Sequence, residues 1–151
     1  KGVIFMKEKG LVVMMVIAIS VIAINFGSSV YNVCAANITD HIYRFNYSGD
    51  GGDVATAARK KEDDSSAYAK NTSDHCAHLI KVAGLHYFAE KPSAISFNDC
   101  TVKGYIRVGV GEARYLPNYV NERGYGFAYL VIQPESHDAC LIKGYWSPDS
   151  I

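Results

Sequence analysis

The chain has 151 residues, of which 15 are basic, 15 are acidic and 49% are hydrophobic. This length is enough for one domain at most, and the apolar fraction excludes a chain that is disordered throughout. Because there is no excess of positive charge to meet phosphates, the composition argues against a nucleic-acid partner.

The long hydrophobic run of the chain lies near its N-terminus, in residues 11–24, and Ser20 is its one polar side chain. Charged residues precede it at positions 7–9. The run is short for a membrane-spanning helix, which needs about 20 apolar residues, and it is typical of a secretory signal peptide. We therefore expect a helical signal peptide within residues 1–36 and no stable membrane anchor after its removal.

The sequence around this segment indicates where it is cleaved and where translation begins. Small side chains suit the cleavage site of a signal peptidase, and Cys34-Ala35-Ala36 places cleavage between Ala36 and Asn37, with cleavage one residue earlier as the alternative. We interpret the five residues before Met6 as translated upstream sequence of a low-GC Gram-positive bacterium. The sequence thus predicts a secreted, extracellular domain of residues 37–151.

The exported part of the chain favours strands over helices. It is rich in tyrosine and glycine and poor in leucine. Short strands are predicted, in chain order, at residues 42–47, 67–70, 79–82, 85–89 and 94–97. Residues 102–110 alternate between apolar and polar positions, which predicts a half-buried strand, and the uninterrupted apolar run 127–132 predicts a central strand buried on both faces. We expect an all-β domain, either a small antiparallel sandwich or a barrel.

Residues 54–61 are compatible with two structures. Asp53 is a suitable N-cap and the following alanines favour a short helix. The flanking segments 48–53 and 62–66 are rich in turn-forming residues, so a long exposed hairpin fits the same composition. The sequence does not decide between helix and hairpin.

An internal repeat relates residues 100–105, Cys-Thr-Val-Lys-Gly-Tyr, to residues 140–145, Cys-Leu-Ile-Lys-Gly-Tyr. It predicts two similar strands, and chance similarity is the alternative. Secretion would leave three cysteines in an oxidising compartment, enough for one internal disulfide at most. Cys100 and Cys140 share the apolar face of their predicted strands, so they are the predicted pair. Closing their loop of about 41 residues would stabilise the fold by about 4 kcal/mol. Three buried, reduced cysteines are the alternative.

The densest group of metal-ligand side chains is Asp74-His75-Cys76-Ala77-His78. On a strand, Cys76 and His78 share one face while His75 points the other way, so the segment offers two ligands. Paired Cys-x-x-Cys motifs, G-x-S-x-G, H-E-x-x-H and a P-loop are all absent from the sequence. We therefore expect no metal, no cofactor and no catalytic residue. A secreted enzyme or metal-binding protein that uses Asp74, His75, Cys76 and His78 is the alternative.

Three stretches carry a resemblance to a known family. Residues 58–68 contain Arg-Lys-Lys-Glu-Asp-Asp-Ser-Ser, residues 121–125 are Asn-Glu-Arg-Gly-Tyr and lead into Ala-Tyr-Leu at 128–130, and residues 144–150 are Gly-Tyr-Trp-Ser-Pro-Asp-Ser. Together they resemble a family of small secreted Gram-positive proteins of unknown function, and the last stretch is the most specific. Lactococcin-like bacteriocins are more distantly similar. The resemblance implies export and a compact all-β fold, and it implies no catalytic residue.

The terminal segment Trp146-Ser147-Pro148-Asp149 has two interpretations. Trp146 is either a core aromatic that closes the last strand, followed by a turn, or part of a recognition edge for a wall polymer or receptor. Aromatic strands with mixed charge are suitable recognition faces. The sequence predicts a secreted, non-enzymatic interaction or envelope-binding protein, with bacteriocin-like antagonism as one form. A self-assembling matrix component is a further possibility.

Overall fold

A computed structural model describes residues 37–150, so the predicted signal helix and Ala36 lie outside the described residues. Strands and irregular segments make up these residues, and no helix occurs among them, which confirms the all-β class. The strands are β1 (His41–Tyr47), β2 (Val54–Ala55), β3 (Arg59–Lys60), β4 (Ala67–Asn71), β5 (His78–Leu85), β6 (Asn98–Asp99), β7 (Ile106–Val108), β8 (Ala113–Leu116), β9 (Phe127–Pro134) and β10 (Cys140–Ser147).

The strands form two antiparallel sheets. One sheet has the order β1-β10-β4-β8, and the other has the order β2-β9-β5-β6, with β3 also paired to β9 and β7 also paired to β5. Both sheets supply side chains to one buried cluster, which includes Tyr43, Ile142 and Trp146 from the first sheet and Ile80 and Leu130 from the second. The arrangement is therefore a sandwich, one of the two predicted architectures.

Strand β9 is buried on both faces, as its continuous apolar sequence predicts. It lies between β5 on one side and the short strands β2 and β3 on the other. Leu130 and Ile132 point into the sandwich core, whereas Tyr129 and Val131 belong to a second apolar cluster on the outer face of the sheet. Residues 86–97 cover that outer face, so neither face of β9 is open to solvent.

The strands predicted at 85–89 and 94–97 are wrong beyond Leu85, where β5 ends. The stretch is irregular instead, and its large apolar residues Tyr87, Phe88 and Ile95 are exposed. Ala89, Ala94 and Phe97 pack onto the outer cluster without pairing their backbones in a ladder. Apolar character alone does not distinguish a strand from a covering loop.

The predicted strand 102–110 is also shorter than expected, because only Ile106–Val108 forms β7. Gly104 has a φ of 73°, a left-handed conformation that places a turn where the repeat predicted a strand. The matching Gly144 lies inside β10. The two copies of the repeat thus have different backbones, and the similarity is confined to the sequence.

Residues 54–61 form neither a helix nor a hairpin. Strands β2 and β3 do not pair with each other, and each adds two residues to the edge of β9. Strand β8 was not predicted, because three of its four residues are exposed and its sequence has no apolar alternation. It is held by pairing with β4.

Candidate binding site

A pocket lies at one open side of the sandwich, where β1 borders the first sheet and the segment from β2 to β3 borders the second. Its volume is about 210 Å³. The residues that line it are His41, Ile42, Tyr43, Arg44, Phe45, Thr56, Ala57, Arg59 and Trp146. Two arginines and a histidine line the pocket and no acidic residue does, so the two guanidinium groups make it a candidate anion site.

Arg59 is the most unusual residue of this pocket. Its Nε atom is buried and has no hydrogen-bond partner. Among the ion pairs found within residues 37–150, neither Arg59 nor Arg44 takes part. Leaving a buried donor of this kind unpaired costs about 1–3 kcal/mol, and more when the donor is charged. A guanidinium group is suited to forked binding of a carboxylate or a phosphate.

The positive charge of Arg59 affects the pKa of the neighbouring His41. Burial, and after it the charge of Arg59, lower the pKa of His41, while Asp40 opposes them. His41 pairs with Trp146 across β1 and β10, so the pocket includes the tryptophan of the terminal motif. Trp146 is only 1% exposed. It therefore fulfils the core interpretation and lines the pocket as well.

Asp149, the acidic residue of the same motif, is fully buried. Its Oδ1 accepts a 2.6 Å hydrogen bond from Lys61 Nζ, whose side chain is also fully buried. Its Oδ2 accepts from the backbone N–H of Glu62 at 3.1 Å and of Asn37 at 2.8 Å. Asp149 thus connects the end of the chain to the basic stretch around Lys61, two of the three stretches on which the family resemblance rests.

His78 occupies a buried polar cluster in the core. Its Nε2 lies 2.9 Å from Ser73 Oγ and its Nδ1 lies 3.1 Å from the hydroxyl of Tyr43. A serine beside a histidine resembles the nucleophile and base of a catalytic triad. In a triad a carboxylate stabilises the protonated histidine, whereas here the third group is the neutral phenol of Tyr43. Ser73 is 3% exposed and His78 is fully buried. Both side chains are therefore shielded from solvent.

Burial lowers the pKa of His78 to about 4, so the imidazole is neutral at neutral pH. A histidine in the unfolded chain titrates near pH 6.5 and binds a proton more readily. Stability contributed by neutral His78 is therefore present above pH 6.5 and is lost as the pH falls towards 4, by up to about 3 kcal/mol. We expect urea unfolding of the wild type between pH 7.5 and 4 to show this loss, and His78→Gln to show a flatter dependence. Exposed His75→Gln should follow the wild type, and equal slopes for all three proteins would contradict the assignment.

The segment 74–78 does not assemble a metal site. Asp74 and His75 are exposed, and Asp74 pairs with Lys143 at 2.9 Å, whereas Cys76 and His78 are buried. Within residues 37–150 no group of three or more His, Cys, Asp or Glu side chains is placed to hold a metal ion. The candidate ligands of the sequence are therefore separated by the fold.

The three described cysteines are buried free thiols, so the predicted Cys100–Cys140 disulfide is not formed in the structure. Cys100 follows β6 and its amide bonds to Val82 in the second sheet, whereas Cys140 begins β10 in the first. Burial and the adjacent Cys76 thiol raise the pKa of Cys140 to about 12. Cys76 is thus the cysteine that the fold places next to Cys140. The alternation of apolar residues along the sequence could not show to which sheet each cysteine belongs.

Sequence reasoning missed the basic pocket altogether. Arg44 lies in a predicted strand and Arg59 in the segment with the undecided structure, and their sequence separation gives no sign that they meet. The available signal was only the presence of a basic residue on each of these two elements. Nothing in the sequence showed which edges adjoin.

No helix within residues 37–150 is long and apolar enough to cross a membrane.

Comparisons with known proteins give one match. No curated protein and no solved structure matches the chain. Residues 31–150, most of the sequence, match the family described as "Protein of unknown function (DUF2712)". The chain therefore belongs to the DUF2712 family of proteins of unknown function.

Proposed function

We propose that the protein is a secreted, non-enzymatic binding protein of a Gram-positive bacterium, and that it recognises an anionic component of the cell envelope. The observation that carries this proposal is the buried Arg59 Nε without a partner, in a pocket that also contains His41 and Arg44 and has no acidic lining residue. An oxyanion is the simplest group that would satisfy the unpaired Arg59 donor.

The size of the pocket limits what part of a ligand it takes. At about 210 Å³ it is smaller than the pockets of about 300–1,000 Å³ that enclose drug-sized molecules. It accommodates one phosphate or carboxylate group, with the rest of the ligand outside. Ile42 is 75% exposed beside it and offers an apolar contact at the rim. A repeating anionic polymer, which presents one charged group at a time, fits this geometry.

Export is supported by the sequence. The apolar run 11–24 and the small residues before Asn37 are consistent with a secreted protein. Binding to the envelope of a related strain is also the way in which a bacteriocin-like antagonist would act, so growth inhibition of sibling strains is a suitable second assay. A non-enzymatic role is supported by the burial of Ser73 and His78, because a substrate has no route to that pair.

Anion binding is testable in solution. We expect the processed protein, purified from culture supernatant, to show phosphate-dependent NMR shifts at Arg59 and at the indole of Trp146, with a Kd on the order of 1 mM. Arg59→Gln should weaken binding about tenfold or more, because a charge-assisted hydrogen bond is lost. Acetate, titrated in parallel, shows whether the pocket prefers phosphate or carboxylate.

Arg107→Gln is the matched control for this experiment. Arg107 is exposed and already forms a two-pronged pair with Glu135, with both N–O distances at 2.8 Å. Its replacement removes the same charge without touching the pocket, so phosphate binding should be retained. Equal losses for Arg59→Gln and Arg107→Gln, or no shifts in the wild type, would refute binding at this pocket.

A further inference from the structure

The backbone nitrogen of Asn37 contacts a buried carboxylate. It donates a 2.8 Å hydrogen bond to Oδ2 of Asp149, a side chain that is fully buried. The side-chain amide of Asn37 also donates to the carbonyl of Lys60 at 3.0 Å, so the residue is fixed at two points. Asn37 is the residue that follows the predicted cleavage site.

The charges around Asp149 are not balanced within the folded domain. Lys61 Nζ lies 2.6 Å from Asp149 and 3.8 Å from Asp63, so one ammonium group serves two carboxylates. Burial raises the pKa of Asp63, but hydrogen bonds from Ser65, the charge of Lys61 and a contact with Asp149 outweigh it and lower that pKa. The remaining donors to Asp149 are neutral backbone N–H groups. A second cation at this point would balance the group.

We propose that Asp149 is the binding site for the α-ammonium group of the processed chain, formed when the bond between Ala36 and Asn37 is cleaved. Hydrolysis adds the hydroxyl of water to the Ala36 carbonyl and a hydrogen to the Asn37 nitrogen, which then takes up a proton at neutral pH. The amide that contacts Asp149 thereby becomes an ammonium group on the same atom. This inference rests on the proposed secretion and gives it a structural consequence.

The chemical gain is in the type of hydrogen bond. A neutral N–H donor is replaced by a charged one, and charge-assisted hydrogen bonds are roughly twice as strong as neutral ones. The acceptor of this hydrogen bond is the buried carboxylate of Asp149, where screening by solvent is weak. The precursor with its signal peptide is therefore less stable than the processed domain, which suits a chain that is exported before it folds.

The test compares two proteins that differ only at the N-terminus. One begins at Asn37, and the other retains Ala35 and Ala36, so that the Asn37 nitrogen remains an amide. We expect the melting temperature of the Asn37 protein to be higher by about 4 °C or more. Asp149→Asn should abolish this difference. Equal melting temperatures for the two starting points would overturn the proposal.

A second readout does not require that the Asp149 variant folds. The α-amine of the Asn37 protein, bound to Asp149, should react with an acylating ester at pH 7 at least tenfold more slowly than the free α-amine of the extended protein. Equal rates would overturn the proposal. The intact mass of the secreted protein tests the processing step separately, since a start at a residue other than Asn37 would contradict it. None of these results depends on anion binding at Arg59, so failure of the two proposals is distinguishable.

Discussion

Replacing Lys61 with Met is expected to destabilise the domain by about 3–5 kcal/mol, because removal of one member of a buried ion pair leaves the other as an uncompensated charge. Lys61 and Asp149 are both fully buried and lie 2.6 Å apart. Lys61 also donates to the carbonyl of Ser65 at 2.6 Å, so the loop that follows β3 loses its attachment as well. Urea unfolding at pH 7 measures the change.

The neighbouring Lys60 provides the matched control. Its side chain is 67% exposed and pairs with Glu62 at 2.9 Å. Exposed pairs of this kind contribute about 0–1 kcal/mol, so Lys60→Met should have little effect. The double variant Lys61→Met/Asp149→Leu should recover part of the loss, because it removes both buried charges. Equal effects at positions 60 and 61 would show that the buried pair does not hold the terminal segment.

Replacing Gly144 with Ala is the second change with a large expected effect. A Cβ at this position would overlap the backbone carbonyl of Lys70 on β4 and the hydroxyl of Tyr43 on β1. The carbonyl cannot move without disrupting the pairing of β10 with β4, and Tyr43 is hydrogen-bonded to His78. We expect a loss of at least about 3 kcal/mol, at the upper end of the cost of overpacking a core. Thermal and urea unfolding of the variant would measure it.

Gly126→Ala is the control for this prediction. A Cβ at Gly126 meets nothing within 4 Å, and the residue is not among the glycines with positive φ. The substitution should therefore be close to neutral. If Gly144→Ala were as stable as Gly126→Ala, the close approach of β1, β4 and β10 around Gly144 would be incorrect.

Sequence reasoning predicted the fold best where burial and backbone pairing coincide. The run 127–132 became β9 because it has neighbours on both edges and cover on both faces. The same reasoning failed for residues 86–97, an irregular segment in which only some apolar side chains are partly buried, and for exposed β8. Gly104 and Gly144 show the limit most clearly, since the same Lys-Gly-Tyr sequence adopts a turn in one place and a strand in the other.

The candidate site was less predictable than the fold. Trp146 and Asp149 were identified from the terminal motif, but their roles depend on residues distant in sequence. Asp149 binds Lys61, 88 positions away, and Arg59 lies in a segment whose structure the sequence left open. Local sequence patterns can identify such residues, but they do not predict the sheet order that brings them together.

The proposed function requires that the processed domain bind an anionic envelope component through the Arg59 pocket. The most direct measurement is sedimentation of the labelled, processed protein with isolated Gram-positive cell envelopes at low and high salt. We expect the wild type and Arg107→Gln to sediment with the envelopes, Arg59→Gln to remain mostly in solution, and added phosphate polymer to compete. Undiminished sedimentation of Arg59→Gln, or no sedimentation of the wild type, would contradict envelope binding at the Arg59 pocket.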